Sequence, residues 1–246
     1  MSKWAEGTVV AQKHWGGRLF SLQVDAELVP FEAGQFAKLA LAVDGEMVGR
    51  PYSFVNAPAE RPHEFYYVVL PEHPLTPRLS RLEAGDTVYL TPKASGFLTL
   101  AEVPPGEHLW LLASGTALGP FLSILKTEAP WQRFERVVLV HGVRRAEELC
   151  YQDQIRSMQA RHAGQFVFVP VVSREHSHFA LGGRIPKAIE DGRLEARAGI
   201  GLAQSSRLMV CGNPAMVADT VHALQQRGLK KHRRRDPGQI SVENYW

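Results

Sequence analysis

Four consecutive residues, Arg50-Pro51-Tyr52-Ser53, combine the side chains that a flat ligand with a phosphate tail requires. An arginine guanidinium offers a planar fork to phosphate, a tyrosine ring offers a stacking surface, and a serine hydroxyl offers one donor and two acceptors. On a strand, alternation puts Arg50 and Tyr52 on one face and Ser53 on the other. A strand end or a bulge turns all three polar groups toward one ligand. The alternative is an ordinary edge strand that enters a turn at Asn56-Ala57-Pro58.

Two further turns follow apolar strands in the second half of the chain. Ser114-Gly115-Thr116-Ala117-Leu118-Gly119-Pro120 lies between a strand and a helix, where a parallel sheet presents backbone amides to a phosphate. Cys211-Gly212-Asn213-Pro214-Ala215-Met216 stands at the end of another apolar strand, with Asn213 as a predicted N-cap and Pro214 as the first helical residue. The alternatives are a plain tight connection for the first turn and a buried structural cysteine for the second.

Cationic residues form two patterns. Arg144, Arg174 and Arg184 each follow an apolar strand or open a helix, and together they would bind the extra phosphate that distinguishes NADP from NAD; the alternative is three solvated surface arginines.

The run Lys230-Lys231-His232-Arg233-Arg234-Arg235 is interpreted either as a docking face for an acidic protein partner or as a solvated loop. The net charge of +3 argues against a dedicated nucleic-acid binder. His176 and His178 have no third ligand in view, so no metal is predicted.

The predicted secondary-structure elements that position these groups differ between the first hundred residues and the rest of the chain. The first hundred residues contain short alternating strands and turns, which predict a small antiparallel barrel or sandwich. Val103-Pro104-Pro105-Gly106-Glu107 breaks that pattern, and apolar strands then alternate with helices, as in a parallel doubly wound sheet. We therefore predict two domains, residues 1–103 and 104–246.

Composition sets the broad class. The 246 residues are 45% hydrophobic and 22% charged, which is typical of a soluble globular protein with one large or two medium domains. Two cysteines allow no disulfide framework beyond a single bridge, and the first residues lack the apolar core of a signal peptide. These features predict a cytoplasmic protein. No nucleophile motif of a hydrolase is present.

In this order, the motifs resemble those of the ferredoxin–NADP reductase family, most nearly its bacterial ferredoxin/flavodoxin–NADP reductases, along essentially the whole chain. The residues that carry the resemblance are Arg50-Pro51-Tyr52-Ser53, Tyr66-Tyr67-Val68, Leu75-Thr76-Pro77-Arg78, Gly115-Thr116-Ala117-Leu118-Gly119-Pro120, Cys211-Gly212-Asn213-Pro214-Ala215-Met216 and Val242-Glu243-Asn244-Tyr245-Trp246. One departure is Gly-Thr-Ala-Leu-Gly-Pro where the family usually has Gly-Thr-Gly-Ile-Gly-Pro, which makes the phosphate turn slightly less open.

The resemblance implies an FAD-binding antiparallel β-barrel followed by an NADP-binding α/β domain, with the flavin between them. It implies electron transfer between NADPH and ferredoxin or flavodoxin by a monomer, with no nucleic-acid partner and no membrane insertion. The implied FAD-binding residues are Arg50, Pro51, Tyr52, Ser53, Tyr66, Tyr67, Val68, Leu75, Thr76, Thr116, Tyr245 and Trp246. The implied NADP-binding residues are Arg144, Ser173, Arg174, Arg184, Gly212, Asn213, Pro214 and Met216.

Four residues would act on the reacting rings. By the resemblance, Ser53 hydrogen-bonds near the flavin N5, Cys211 lies beside the nicotinamide, Glu243 assists the accompanying proton, and Tyr245 covers the flavin face opposite Tyr52. Two rival hypotheses remain: a reductase component of an oxygenase system, and a non-catalytic FAD-bound redox sensor. An additional cysteine-rich iron–sulfur domain, which many oxygenase reductases carry, is excluded within this chain by its two cysteines.

Trp246 provides the first testable prediction. Because the resemblance stacks its indole on the FAD adenine, deleting Trp246 should weaken flavin retention or alter the preference between NADPH and NADH. Flavin absorbance per protein after gel filtration and steady-state kinetics with both coenzymes measure these effects. Unchanged flavin content together with unchanged kinetics would remove Trp246 from the site.

Overall fold

The computed structural model describes residues 3–245, so the role predicted for Trp246 lies outside the described residues. Two six-stranded sheets organise this part of the chain. The first sheet is antiparallel throughout, in the order β4-β3-β6-β1-β2-β5. A bridge between Phe54 and Phe65 joins the chain after β4 to β5 and closes the sheet into a barrel. Its strands are β1 Ala5–Gly16, β2 Leu19–Asp25, β3 Phe36–Val43, β4 Glu46–Ser53, β5 His63–Val68 and β6 Thr87–Leu90, with helix α1 at Thr76–Leu79 before β6.

The second sheet is parallel throughout, in the order β10-β9-β8-β7-β11-β12. Its strands are β7 His108–Ser114, β8 Arg136–Val143, β9 Phe166–Val172, β10 Leu181–Gly182, β11 Ser206–Gly212 and β12 Ile240–Asn244. The helices between them are α2 Leu118–Leu125, α3 Ala129–Arg133, α4 Gln152–Arg161, α5 Ile185–Glu190, α6 Arg193–Ala198 and α7 Pro214–Gln226. The predicted pairing of a β-barrel with an α/β domain is confirmed.

Strand alternation gives the parallel sheet two apolar faces. Along β7, Leu109 and Leu111 pack on one side, while Trp110 and Leu112 pack on the other with α5, α6 and α7. The first side also receives Val55 and Tyr66 from the barrel half of the chain. One buried cluster therefore extends from the parallel sheet into the barrel half.

Asp44-Gly45, directly after the apolar run 36–43, predicts a hairpin, and the structure has one between β3 and β4. Asp44 and Gly45 have φ values of 52° and 85°, the left-handed region that a two-residue hairpin turn requires. This turn sets the register in which Phe36 lies opposite Ser53 and Ala37 lies opposite Tyr52. The turn thereby fixes where the Arg50–Ser53 motif ends against its partner strand.

Two local predictions were wrong, and one strand was missed. The sequence pattern did not indicate β1, because its burial alternates only at Gly7 and Val9 and its other side chains remain at least partly accessible. The charged, amphipathic sequence from about Ala146 to Arg161 predicts a single helix, but Tyr151 has a φ of 61° and α4 begins only after it. The sequence Thr76-Pro77 predicts a short helix that Thr76 caps and that extends through Leu82. In the structure, Thr76 begins α1 and the helix ends at Leu79.

The boundary predicted near Pro104–Gly106 falls in the segment between β6 and β7. Leu98, Leu100 and Val103, which precede it, are buried in the same cluster as Leu109 and Leu111, which follow it. The position of the division between residues 103 and 104 stays a prediction. Separately, no helix within residues 3–245 is long and apolar enough to cross a bilayer.

Buried hydrogen bonds connect the two halves of the chain. Tyr151 donates its hydroxyl to Glu64 Oε1 over 2.7 Å, and both residues are buried. Ser123 on α2 donates to the backbone oxygen of Asn56 over 2.7 Å. The amide oxygen of Asn56 accepts from the backbone N–H of Glu64 at 2.8 Å. The turn between β4 and β5 is thus bonded directly to the second half of the molecule.

Replacing Tyr151 with phenylalanine tests this connection. The substitution leaves a buried carboxylate oxygen without its phenol donor, so the free energy of unfolding should fall by about 1.5–3 kcal/mol. Urea unfolding followed by tryptophan fluorescence measures the change. Tyr89→Phe is the matched control, because Tyr89 lies half-exposed on β6. Equal effects of the two substitutions would contradict a specific contribution of the Tyr151–Glu64 bond.

Candidate active site between the two sheets

The Arg50–Ser53 motif occupies the end of β4. Arg50 is exposed, Tyr52 is half-buried and Ser53 is buried. The Tyr52 ring meets the Tyr67 ring edge-on, with centroids 6.0 Å apart. Arg50 donates to the backbone oxygen of its neighbour Gly49 over 3.0 Å. Within residues 3–245 no carboxylate lies within ion-pair distance of Arg50, so its charge is available to a ligand.

A cavity of about 340 Å³ adjoins Arg50. Lys3 and Lys38 also line it, together with the indole of Trp4, and its described lining contains no carboxylate. Trp4 packs closely over Gly49, where an added Cβ would lie 2.5 Å from the ring. Three cations beside an aromatic ring match the chemistry of a diphosphate joined to a heterocycle. The residues present therefore fit the phosphate-bearing half of a dinucleotide cofactor.

The carboxyl end of the parallel sheet brings Tyr245 to the motif. Tyr245 donates its hydroxyl to Ser53 Oγ over 2.6 Å, and its backbone N–H donates to the oxygen of Gly212 at 2.9 Å. Burial raises the pKa of Tyr245, and the neighbouring Cys211 and Glu243 act in the same direction. The phenol therefore remains protonated and keeps its hydrogen available for Ser53.

Cys211 and Glu243 lie opposite each other in the parallel pairing of β11 with β12. Cys211 is fully buried, and burial raises the pKa of its thiol well above the usual range, with the nearby Glu243 adding to the effect. Burial also raises the pKa of Glu243 to about 7. A neutral thiol and a carboxyl group that titrates near neutral pH thus stand side by side.

Gly212 is required by the turn that follows β11. Its φ is +146°, and an added Cβ would lie 2.1 Å from Ser114 Oγ and 2.8 Å from Met216 Cε. Ser114 in turn accepts from the backbone N–H of Asn213 at 3.2 Å. The ends of β7 and β11 are therefore held together at the carboxyl edge, where parallel sheets bind ligands.

Asn213 caps α7 as predicted. Its Oδ1 accepts from the backbone N–H groups of Ala215 at 3.0 Å and Met216 at 3.4 Å. Pro214 is the first helical residue and needs no hydrogen-bond acceptor there. Asn213 and Pro214 are exposed and Met216 is half-buried, so this helix start faces the accessible edge of the sheet.

The predicted phosphate turn contains a single turn of 3₁₀ helix, Gly115–Ala117, directly before α2. Thr116 is half-buried there, and Gly115 has a φ of +56°. His141 Nε2 lies 3.0 Å from the Gly115 oxygen. Burial lowers the pKa of His141 to about 4, so the ring is neutral and must carry its proton on Nε2 to donate to that oxygen. Sequence reasoning missed His141, because an isolated histidine in an apolar strand resembles ordinary core.

The three predicted arginines follow neighbouring strands. Arg144 directly follows β8, whereas one residue separates Arg174 from the end of β9 and one residue separates Arg184 from the end of β10. The Arg174 N–H donates to the Arg144 oxygen at 2.8 Å, and the Ser173 hydroxyl donates to the Val143 oxygen at 3.1 Å. All three arginines are exposed, and none forms an ion pair with a carboxylate among residues 3–245. They occupy one edge of the sheet at consecutive strand ends.

The remaining predicted residues lie deeper. Tyr66 and Tyr67 are buried on opposite faces of β5: Tyr66 packs toward the parallel sheet and Tyr67 packs in the barrel core, while Val68 is half-buried. Leu75 and Thr76 are also buried. The Thr76 hydroxyl is bonded to the backbone N–H and oxygen of Leu70. Leu75 and Thr76 thus stabilise the loop that leads into α1.

No group of three His, Cys, Asp or Glu side chains within residues 3–245 has the arrangement of a metal site.

Residues 111–222, most of the α/β half, match the family model of the oxidoreductase NAD-binding domain. The fold and the site therefore agree on a broad class, the nucleotide-binding oxidoreductases, because parallel sheets bind such ligands at their carboxyl edge.

Full-length relatives give a narrower assignment. The chain is 46% identical over 248 residues to the flavodoxin/ferredoxin–NADP reductase of Escherichia coli (strain K12), covering 100% of both chains. It is 35% identical over 246 residues to the ferredoxin–NADP reductase of Azotobacter vinelandii, covering 96% of this chain and 95% of the relative. The crystal structure of a ferredoxin NADP+ reductase from Neisseria gonorrhoeae, with bound FAD and NADP, superimposes with a TM-score of 0.95 at 34% identity and complete coverage of both chains. The chain belongs to the flavodoxin/ferredoxin–NADP reductase family.

His141 is predicted to hold the turn at residues 115–117. In His141→Leu the Gly115 oxygen loses its donor, and hydrogen–deuterium exchange of the amides of this turn should rise about tenfold. His141→Gln retains a donor near the Nε2 position and should restore most of the protection. His162→Gln, a change at a half-exposed ring stacked on Trp131, is the control. Equal exchange in all four proteins would contradict the assignment.

Glu243 should give stability a specific pH dependence. Its pKa is raised to about 7 in the folded protein from an ordinary 4.5, so between these values the folded state binds more protons than the unfolded state. The contribution of Glu243 to the free energy of unfolding is therefore fully present below pH 4.5 and is lost as pH rises through 7.

Glu243→Gln removes this titration. The stability difference between variant and wild type should shift in favour of the variant from pH 4.5 to 7 and then stay level. Urea unfolding of both apoproteins at several pH values measures the difference. Asp153→Asn, on the exposed face of α4, is the control. A difference independent of pH would refute the shifted pKa.

Proposed function

We propose that this chain binds FAD and NADP(H) and transfers electrons between NADPH and the one-electron carriers ferredoxin or flavodoxin. The observation that carries the proposal is the Tyr245–Ser53 hydrogen bond, which joins the Arg50–Ser53 motif to the carboxyl edge of the parallel sheet. The flavodoxin/ferredoxin–NADP reductase relatives, which match along the whole chain, support it.

The FAD site is assigned to the barrel half, residues 1–103, with closing residues from the second half. Arg50, assisted by the cavity cations, would bind the diphosphate, while Tyr52 and Tyr245 would cover opposite faces of the ring. Ser53 would donate near the flavin N5. The remaining contacts are assigned to Pro51, Tyr66, Tyr67, Val68, Leu75, Thr76, Thr116 and Trp246.

The NADP site is assigned to residues 104–246. Arg144, Arg174 and Arg184 at consecutive strand ends, with Ser173, would bind the adenosine 2′-phosphate. The turn at Gly212, Asn213, Pro214 and Met216 would receive the nicotinamide half, because it follows β11 at the carboxyl edge of the parallel sheet, where such sheets bind ligands. The monomer implied by the family resemblance is part of this proposal.

The chemistry requires two electrons to leave one donor and reach two acceptors. The balanced reaction is NADPH + 2 oxidised carriers → NADP⁺ + H⁺ + 2 reduced carriers. Bound FAD supplies the conversion between hydride transfer and single-electron transfer. Cys211, kept neutral by burial, would lie against the nicotinamide without adding charge, and Glu243, with a pKa of about 7, would hold or release the accompanying proton.

Anaerobic titration of the purified yellow protein with NADPH tests this function. Loss of the flavin absorbance at one NADPH per flavin, followed by its return when oxidised ferredoxin or flavodoxin is added, is the expected result. If the protein retains flavin but NADPH does not bleach it, the enzyme hypothesis is rejected in favour of the non-catalytic redox sensor. Bleaching without transfer to either carrier would indicate another acceptor, such as an oxygenase component.

The arginine assignment predicts a coenzyme-specific effect. Replacing Arg144, Arg174 and Arg184 together with glutamine should raise the KM for NADPH on the order of 100-fold, because charge-assisted bonds to phosphate are lost. The KM for NADH should change far less, since NADH has no 2′-phosphate. Arg156→Gln on α4, where the side chain pairs with Asp153, is the control. Equal effects on both coenzymes would reject the 2′-phosphate site.

A further inference from the structure

A second cavity, of about 330 Å³, lies between the barrel and α4. Strands β1, β2 and β5 line it on the barrel side, and Gln154 of α4 lines it on the other. Lys13 lies opposite Ser21 and Gln23 lies opposite Glu64 in the strand pairing, so these four side chains share one face of the sheet. None of the residues that line this cavity is assigned above to FAD or NADP. The cavity is therefore distinct from the candidate active site.

Glu64 places a buried carboxylate at this cavity. The residue is 8% exposed, and its Oε1 accepts the Tyr151 phenol at 2.7 Å. Within residues 3–245, no hydrogen-bond donor reaches Oε2, and no cation lies within 4.0 Å of the carboxylate. Because a buried charge without a counter-ion is costly, this carboxylate favours a cationic ligand.

Gln154 supplies a second acceptor to the same cavity. Its Oε1 is buried and has no hydrogen-bond partner in the described part of the chain. A buried acceptor without a donor is unfavourable, so this oxygen also requires a donor from a ligand. A primary ammonium group has three N–H donors and no acceptor, and it therefore matches Gln154 and Glu64 together.

Lys13 supplies the opposite charge. Its ammonium lies 3.5 Å from the centroid of the Trp15 ring. Trp15 in turn donates to Ser21 Oγ over 3.1 Å and packs on the Tyr151 ring with centroids 4.5 Å apart. No carboxylate of the described residues lies within 4.0 Å of the Lys13 ammonium, that of Glu64 included. Two opposite charges therefore line one cavity without pairing with each other.

We propose that this cavity binds a small zwitterion, an amino acid whose ammonium group is bound by Glu64 and Gln154 and whose carboxylate is bound by Lys13. Such a ligand gives each charge its counter-ion, whereas a simple amine or a simple carboxylate satisfies one end only. The volume of about 330 Å³ suits a small molecule, because ligand sites begin at roughly 300 Å³.

Occupancy of this cavity has a structural consequence. Glu64 belongs to the barrel and is bonded to Tyr151 of the second half, so a ligand on Glu64 stabilises the junction of the two halves. This site goes beyond the electron-transfer function proposed above and does not depend on it.

Binding of short amino acids to the FAD-loaded enzyme tests the site. Glycine, β-alanine and γ-aminobutyrate increase the distance between the two charges stepwise, and saturation-transfer NMR titrations measure each Kd. At least one of the three should bind at least about tenfold more tightly than propylamine or butanoate, which carry one charge each. Failure of all three to bind would overturn the site. A single-charge compound that binds as tightly as the best amino acid would overturn the zwitterion.

Two substitutions locate the bound ligand. Lys13→Met should weaken binding of the best amino acid about tenfold and leave propylamine binding unchanged. Gln154→Met should weaken binding of both compounds about fivefold. Lys93→Met and Gln159→Met are the matched controls, because they change an exposed lysine and a half-buried glutamine of α4 outside the cavity.

The flavin content of each variant verifies folding. Wild-type affinity in both cavity variants would overturn the site, because the amino acid would then bind elsewhere. Since the measurement is binding and not turnover, an enzyme that fails to transfer electrons contradicts the proposed function alone.

Discussion

The hydrogen bond from Tyr245 to Ser53 connects groups 192 residues apart in the chain, and the candidate site depends on it. Ser53 ends β4 in the barrel, whereas Tyr245 follows β12 at the edge of the parallel sheet. Neither sheet alone supplies both residues of this bond. The bond also requires β12 to pair with β11 in the observed register, since Tyr245 is fixed by the Gly212 oxygen.

The fold class was predictable because local chemistry determines most of it. Alternation in β2, the Asp44-Gly45 turn and the apolar runs of β7, β8 and β9 are short-range signals that tertiary packing did not override. The signal was weak for β1, whose side chains are largely accessible along most of its length. It was misleading at Tyr151, where a buried contact to Glu64 accompanies a left-handed backbone that composition does not reveal.

The individual residues of the site were predictable from the sequence, but the contacts between residues far apart in the chain were not. The residue types of the Arg50–Ser53 motif indicate a phosphate-bearing ligand, and Asn213-Pro214 indicates a helix start, without any knowledge of the fold. The partnership of Cys211 with Glu243 depends on strand register, and the raised pKa of Glu243 depends on burial. His141 acts on a turn that precedes it by 26 residues, through a contact that only the parallel pairing of β7 and β8 creates.

The edge position of β12 also has a consequence for synthesis in the cell. The barrel strands and the Arg50–Ser53 motif leave the ribosome long before residues 240–245, so a nascent chain can fold its first half early. That half lacks the strand and the phenol that complete the space around Ser53. On the site assignment proposed above, the flavin site is therefore complete only after the last residues of the chain have been made and folded.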